Sequence, residues 1–230
     1  NGGGMGFLNQ ATGKFTIFSR NTYDGAMRRF SNNFVDDLQR GPDGTIWMST
    51  YTGLIQFNIT TYKYDEFADH PVLKAAHQKS LSRIFTDKSG KLWLGFNNDG
   101  VYCYDKTKNE LKLFSTEEGL LKGDVNALDA DDNGNIYVAT TKGLSIIDKK
   151  EKIKNYTTEN GLKYEDCMAL LKDKEGNIWI SNRNCILKFS PATQTFSYYD
   201  ESAGLTGENF SSNAAHAAAN GLLYWGTEKG

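Results

Sequence analysis

Short segments in which apolar and polar residues alternate recur along the chain, as in residues 110–114, Glu-Leu-Lys-Leu-Phe. The side chains of a β-strand point alternately to opposite faces, so this alternation, together with many β-branched and aromatic residues, predicts strands. The helical spacing of about 3.6 residues is nearly absent, and the one weak helix candidate is residues 72–80. The pattern therefore predicts an all-β fold.

The predicted strands belong to a repeated unit. In each unit a turn glycine comes three residues before a large aromatic residue, and these glycines are Gly44, Gly90, Gly134, Gly176 and Gly221. The aromatic residues keep the same steps of 46, 44, 42 and 45 residues, and they are Trp47, Trp93, Tyr137, Trp179 and Tyr224. A second aromatic set closes the last segment of each unit and comprises Phe18, Phe67, Phe114, Tyr156 and Tyr199. Several registers that share one period identify internal repeats.

Each unit holds four strand-like segments in about 45 residues, which is the size of a β-propeller blade. A blade cannot bury both of its faces alone, so the repeated aromatic residues are expected to lie between stacked blades. The blade repeats are predicted near residues 1–34, 35–79, 80–123, 124–164 and 165–209, with a partial unit at 210–230. Both ends of the chain cut through a blade. We therefore expect residues 1–230 to form a single propeller segment of about five four-stranded antiparallel blades, as part of a seven-bladed ring.

Composition argues against several classes of protein. The 230 residues include 26 basic and 28 acidic residues, and this balance lacks the basic face of nucleic-acid-binding proteins. No apolar run approaches the roughly 20 residues needed to cross a bilayer. No signal peptide is recognised at Asn1, so any targeting segment is expected outside these residues. The odd number of cysteines excludes a fully paired disulfide framework, and we expect Cys103, Cys167 and Cys185 to be buried.

Motifs for catalysis, metal binding or cofactor binding are weak. Residues 129–134 resemble the first half of a calcium-binding loop, but Thr140 occupies the position that needs a bidentate Glu, so a hairpin turn is favoured. The histidines His70, His77 and His216 lack the close spacing and the partners of a zinc site. The sequence also lacks a nucleophile-elbow motif and a phosphate-binding glycine loop. We therefore predict no catalytic residue, no metal site and no cofactor.

The repeat is identifiable beyond its period. The string Asp-x-x-Gly-x-Ile/Leu-Trp-Ile-Gly/Ser-Thr-x-x-Gly-Leu-x-x-Phe/Tyr-Asp is carried at residues 43–58, 87–105, 131–148 and 173–190. It resembles the two-component regulator propeller repeat, and the resemblance covers essentially the whole chain. That family is typified by the periplasmic sensor domains of Bacteroides-type hybrid two-component histidine kinases, whose inputs are typically oligosaccharides. The repeat defines a scaffold and not a binding site.

The resemblance implies a periplasmic sensor domain that binds an oligosaccharide or glycan fragment and relays the signal to a cytoplasmic histidine kinase. The parent protein would be anchored in the inner membrane and act as a homodimer, and this domain would contact no nucleic acid. The chain itself is not expected to be an enzyme. Two alternatives stay open: a propeller that serves only as a scaffold for protein interaction or dimerisation, and, less favoured, a propeller lyase or glycosidase.

Propellers usually bind ligands on one face, which is formed by the loops that lead into the innermost strands and the loops that join the second and third strands. Aromatic side chains with Asn, Arg and Lys donors on that face would suit a sugar, and arginine would suit an acidic sugar carboxylate or sulfate. The residue pair 28–29 and the run 182–184 break the repeat most visibly. The candidate ligand-binding residues are Arg28, Arg29, Asn33, Tyr51, His77, Asn97, Asn98, Asn182, Arg183 and Asn184.

Overall fold

The computed structural model describes residues 4–18, 34–41, 44–77, 79–205 and 209–228. Within these ranges the chain forms twenty β-strands and two short 3-10 turns, Leu73–Ala76 and Glu201–Ala203. The prediction of an all-β fold is therefore confirmed. The weak helix candidate at residues 72–80 contributes only the first of these turns, which buries Leu73 and Ala76.

The strands form four complete sheets between two hairpins, and every pairing is antiparallel between neighbours in sequence. The first hairpin contains β1 (Met5–Asn9) and β2 (Lys14–Phe18). Sheet A contains β3 (Val35–Arg40), β4 (Thr45–Thr50), β5 (Gly53–Asn58) and β6 (Tyr64–Asp65). Sheet B contains β7 (Leu81–Thr86), β8 (Leu92–Phe96), β9 (Gly100–Asp105) and β10 (Glu110–Phe114).

The second half of the chain repeats this plan. Sheet C contains β11 (Val125–Ala130), β12 (Ile136–Thr140), β13 (Gly143–Ile147) and β14 (Ile153–Tyr156). Sheet D contains β15 (Ala169–Lys172), β16 (Ile178–Ser181), β17 (Ile186–Ser190) and β18 (Thr195–Tyr199). The last hairpin contains β19 (Phe210–Ala217) and β20 (Leu223–Thr227). The four-stranded antiparallel blade is confirmed, whereas the seven-bladed ring and the single domain over residues 1–230 stay predictions.

The first strands of successive sheets, β3, β7, β11, β15 and β19, lie side by side. Side chains from one first strand bond to the backbone of the next first strand or of the loop that leads into it. Ser82 Oγ donates to the Val125 carbonyl of β11 at 2.8 Å, and Asn126 Nδ2 donates to the carbonyl of Cys167, just before β15, at 2.9 Å. In β3, β7 and β11 the pairing register shifts at the second residue of the strand. A β-bulge re-aims side chains, so the repeated bulge directs these polar groups toward the neighbouring sheet.

The repeated sequence motif builds the turn between the first and second strands of each sheet, here called the motif turn. Its glycine has a φ between 77° and 90° at Gly44, Gly90, Gly134, Gly176 and Gly221, a backbone conformation that favours glycine. In three sheets the motif aspartate accepts a hydrogen bond from the motif aromatic residue: Asp87 from Trp93 Nε1 at 2.9 Å, Asp131 from the Tyr137 hydroxyl at 3.1 Å, and Asp173 from Trp179 Nε1 at 2.7 Å. The fixed spacing of Asp, Gly and aromatic residue follows from this geometry.

The core lies between adjacent sheets. Trp93 of sheet B belongs to a buried cluster that also contains Ile136, Val138 and Ile147 of sheet C, and its ring stacks on Phe114 with 5.6 Å between centroids. The same stacking recurs between Trp47 of sheet A and Phe67, which follows β6, and between Trp179 and Tyr199 in sheet D. The expectation that the motif aromatic residues lie between blades is confirmed for Trp93.

Candidate ligand-binding face

The end of the sheets opposite the motif turns brings together the two sets of loops that were predicted to bind a ligand. We call this end the loop face; it comprises the loops 79–80, 122–124 and 164–167, which lead into the first strands, and the turns 51–52, 97–99, 141–142 and 182–185, which join second to third strands. Backbone bonds tie the two sets together, because the Asn97 amide donates to the Ser80 carbonyl and the Thr141 amide donates to the Asp124 carbonyl, both at 3.1 Å.

Asn97 and Asn98 are exposed on the loop face and organise its part over sheets B and C. Asn97 Nδ2 donates to Ser80 Oγ at 2.9 Å, and Asn98 Nδ2 donates to Asp124 Oδ1 at 2.7 Å. The second bond links the turn of sheet B to the loop of sheet C. Asn98 has a φ of 58°, which asparagine tolerates better than most residues.

A cation–carboxylate–phenol group lies beside these asparagines. Lys79 Nζ donates to the Tyr102 hydroxyl at 2.7 Å and forms an ion pair with Asp99. Burial alone would lower the pKa of Lys79, but the hydrogen bonds to Asp99 and Tyr102 outweigh it and raise that pKa. The site prediction omitted all three residues. Lys79 was recognisable from its place in a loop, but Tyr102 lies on a strand and carries no sequence signal of its own.

The run 182–184 divides into a buried residue and two exposed ones. Asn182 has no exposed surface, and its Nδ2 donates to the carbonyls of Tyr164 at 2.8 Å and Asp166 at 3.0 Å. Its predicted direct contact with a ligand is therefore corrected: it holds the loop 164–167 in place. Arg183 and Asn184 do face solvent, and Arg183 Nε lies 3.7 Å from Asp166 Oδ2. This pair presents a guanidinium and a carboxylate side by side.

Tyr51 and His77 belong to two segments that pack against each other beside sheet A. A Cβ placed on Gly53 would lie 2.5 Å from the Ala76 carbonyl oxygen and 3.2 Å from His77 Cα, so the turn that carries Tyr51 packs against the segment that carries His77. Tyr51 is 65% exposed, whereas His77 is half-buried with Nδ1 3.2 Å from the Glu66 carbonyl oxygen. A tyrosine that is this exposed offers a ring face for stacking.

Three predicted site residues, Arg28, Arg29 and Asn33, lie outside the described residues. Across the described ranges, no group of three or more His, Cys, Asp or Glu residues is arranged to hold a metal ion. The face therefore combines exposed amides, paired charges and tyrosine rings on rigid sheets. Such groups can hydrogen-bond hydroxyls and stack on an apolar ring face.

Solved structures with the same arrangement of sheets are numerous. The chain superposes on the extracellular domain of a protein assigned as a hybrid two-component system of B. thetaiotaomicron with a TM-score of 0.73, at 24% identity over 84% of this chain and 26% of that chain. For the extracellular domain of a second such system from the same organism the TM-score is 0.73, at 16% identity over 94% and 30%. The chain shares its fold with these domains. It spans between a quarter and a third of their length.

Propellers that are enzymes also match this fold. A catalytically inactive variant of virginiamycin B lyase from Staphylococcus aureus superposes with a TM-score of 0.71, at 10% identity over 99% of this chain and 71% of that chain. No family model matches the chain, and no curated protein matches it. In the described part of the chain, no helix is long and apolar enough to cross a membrane.

Proposed function

We propose that this chain is part of a periplasmic sensor domain that binds an oligosaccharide or glycan fragment on its loop face. The loop face supports the proposal because exposed polar groups converge there on rigid, repeated sheets, and the fold is shared with extracellular domains of two-component systems. In this proposal the parent protein is anchored in the inner membrane, acts as a homodimer and relays binding to a cytoplasmic histidine kinase. The chain itself catalyses no reaction.

The proposed binding is tested by measuring oligosaccharide affinity after substitution of Arg183 or Asn98. The intact ectodomain is screened against an oligosaccharide panel by thermal shift, and each ligand that stabilises it is titrated by calorimetry. A hydrogen bond to a charged group contributes about 1.5–3 kcal/mol, so Arg183→Ala is expected to weaken binding about ten-fold or more. Asn98→Ala is expected to weaken it less, because it removes a neutral amide.

The matched control is Lys108→Ala, which removes an exposed cation from a turn at the other end of sheet B. Its affinity should equal that of the wild type. If Arg183→Ala and Asn98→Ala both bind the oligosaccharide with wild-type affinity, the loop face is not the binding site. If no oligosaccharide binds while a protein partner does, the chain is a scaffold, and conversion of a sugar to product would identify it as an enzyme.

A further inference from the structure

A buried arginine lies where the first strands β7, β11 and β19 meet. Arg83, at the bulge of β7, is only 9% exposed. Its Nη2 donates to Ser212 Oγ of β19 at 2.8 Å, its Nε donates to the Asn126 carbonyl of β11, and its Nη1 donates to the Ser82 carbonyl of its own strand. The guanidinium therefore contacts segments that are 43 and 129 residues away in sequence.

All three of these acceptors are neutral. Arg83 takes part in none of the ion pairs within 4 Å between described residues, and Asp37 and Asp36 act on its charge only through longer-range attraction. Both oxygens of Asp37 already accept backbone hydrogen bonds, from Ile84 at 3.1 Å and from Leu38 at 2.9 Å. Buried charges in proteins are normally paired with an opposite charge. Among the described residues, Arg83 is thus a buried cation whose acceptors are neutral, and these acceptors use three of the five N–H donors of the guanidinium.

Arg83 lies in the part of β7 that is nearest to the loop face. Arg83 is the third residue of β7, and the strand begins where Leu81 pairs with Phe96, immediately below the turn 97–99. At about 3.3 Å per residue, Arg83 lies roughly 10 Å below the turn. Ser212 and Asn126 also approach each other here, with Ser212 Oγ 3.3 Å from Asn126 Oδ1. Polar groups from β7, β11 and β19 therefore surround one position.

We infer that Arg83 forms a subsite for the carboxylate or sulfate group of an acidic sugar. The negative group would enter from the loop face, pair with the N–H donors of the guanidinium that these three hydrogen bonds do not use, and supply the charge that the neutral acceptors lack. Arg pairs with carboxylate and sulfate-like oxyanions in a planar, two-point geometry, and Ser212 and Asn126 would complete the hydrogen bonds. This inference rests on the proposed function and narrows the ligand to acidic glycans.

The test uses the intact chain and two probes that differ in one group, glucuronate and glucose. Wild-type protein is expected to bind glucuronate measurably in a calorimetric or NMR titration and to bind glucose at least ten-fold more weakly. Arg83→Gln should reduce glucuronate affinity to that of glucose, and Arg83→Lys should leave an intermediate affinity because it keeps the charge but loses the planar fork. Equal binding of the two probes, or normal glucuronate binding by Arg83→Gln, overturns the subsite.

If Arg83→Gln does not fold, the NMR signal of the Arg83 Nε–H group in the wild-type protein tests the same subsite. The chain has six arginines, so the Nε–H signal of Arg83 can be assigned as the one that is missing from the spectrum of Arg83→Lys. Glucuronate should shift this signal, and glucose should not. No shift with glucuronate overturns the subsite.

The two hypotheses can fail separately. If neutral oligosaccharides bind the loop face and acidic ones bind no better, the proposed function stands and the Arg83 subsite is overturned. If glucuronate binds at Arg83 but no oligosaccharide binds, the subsite stands and the oligosaccharide-sensing function is overturned. Ser212→Ala serves as the positional control, since it removes one neutral partner and should change glucuronate affinity less than Arg83→Gln does.

Discussion

The two ends of each sheet are built on opposite principles. At the motif turns the same contact recurs in sheets B, C and D, where an aspartate binds the aromatic residue six positions later. At the loop face each sheet has its own contacts: a Lys–Asp–Tyr group in sheet B, an asparagine bridge between sheets B and C, and a buried asparagine under a loop in sheet D. The motif end therefore keeps one turn geometry in these three sheets, whereas the contacts at the loop face differ from sheet to sheet.

The largest expected loss of stability comes from removing a motif aromatic residue. Trp93→Ala should lower the free energy of unfolding by about 3–5 kcal/mol, as is typical of removing a large buried aromatic side chain. The ring is buried between sheets B and C, stacks on Phe114 and donates to Asp87. Equilibrium unfolding in urea measures the change.

The control for Trp93→Ala comes from the loop face. Tyr51→Ala removes an aromatic ring that is 65% exposed, so it should change stability by no more than about 0.5 kcal/mol. A similar loss of stability in both variants would mean that the two ends of the sheets contribute equally to stability. In that case the motif end does not contribute more to stability than the loop face does.

Loss of the motif aspartate should lower stability less than loss of the aromatic ring but more than loss of any loop-face residue. Asp173 accepts hydrogen bonds from Trp179 Nε1 and from the backbone and side-chain nitrogens of Asn177. Burial alone would raise the pKa of Asp173, but these bonds outweigh it and lower the pKa. Asp173→Ala leaves the donors without their acceptor, at a cost of about 1–3 kcal/mol. Thermal unfolding at pH 7 measures this cost.

A more conservative substitution at the same position sharpens the result. Asp173→Asn keeps one acceptor oxygen, but it replaces the other with an NH2 group that faces the N–H donors of Asn177 and Trp179. The free energy of unfolding should therefore fall by an intermediate amount. Wild-type stability in Asp173→Ala would mean that the aspartate recurs for a reason other than turn geometry.

The sequence predicted the motif end better than the loop face, and the reason is physical. Repetition of Gly, Asp and aromatic residues signals one local geometry that each blade must satisfy, so the strands and the aromatic positions could be read from spacing alone. The role of Asn182 could not, because its burial depends on how the loop 164–167 folds back over it. Arg83 and Tyr102 lie on strands that read as ordinary repeat positions, and only the meeting of distant segments gives them partners.

Asn182 and Asn184 allow the loop face to be tested within a single turn. Asn182→Ala removes two buried hydrogen bonds to backbone carbonyls and should cost about 1–2 kcal/mol. Asn184→Ala changes an exposed residue and should stay within about 0.5 kcal/mol of the wild type. Amide hydrogen exchange should locate the loss in Asn182→Ala to residues 164–167. Uniform loss across sheet D would contradict a local positioning role.

The smallest expected effect concerns charge at the motif turn of sheet C. Asp132 is exposed and bridges Lys172 of sheet D and Lys88 of sheet B, and hydrogen bonds from these two lysines lower its pKa from 3.8 to about 2. Because the pKa is lower in the folded chain, the stabilisation is fully present above pH 4 and is lost as the pH falls toward about 2. Wild type should therefore be more stable than Asp132→Asn at pH 7, and the difference should vanish near pH 2.

Ionic strength gives a second test of the difference in stability between wild type and Asp132→Asn. Exposed ion pairs are screened over about 3 Å at an ionic strength of 1 M, so concentrated NaCl at pH 7 should also shrink the difference between wild type and Asp132→Asn. Lys88→Met leaves the Lys172 pair in place and should lose only part of the stabilisation. A difference between wild type and Asp132→Asn that survives both acid and salt would mean that Asp132 stabilises its turn through backbone geometry. The ion pairs of Asp132 with Lys88 and Lys172, which link the three sheets, would then contribute nothing measurable to stability.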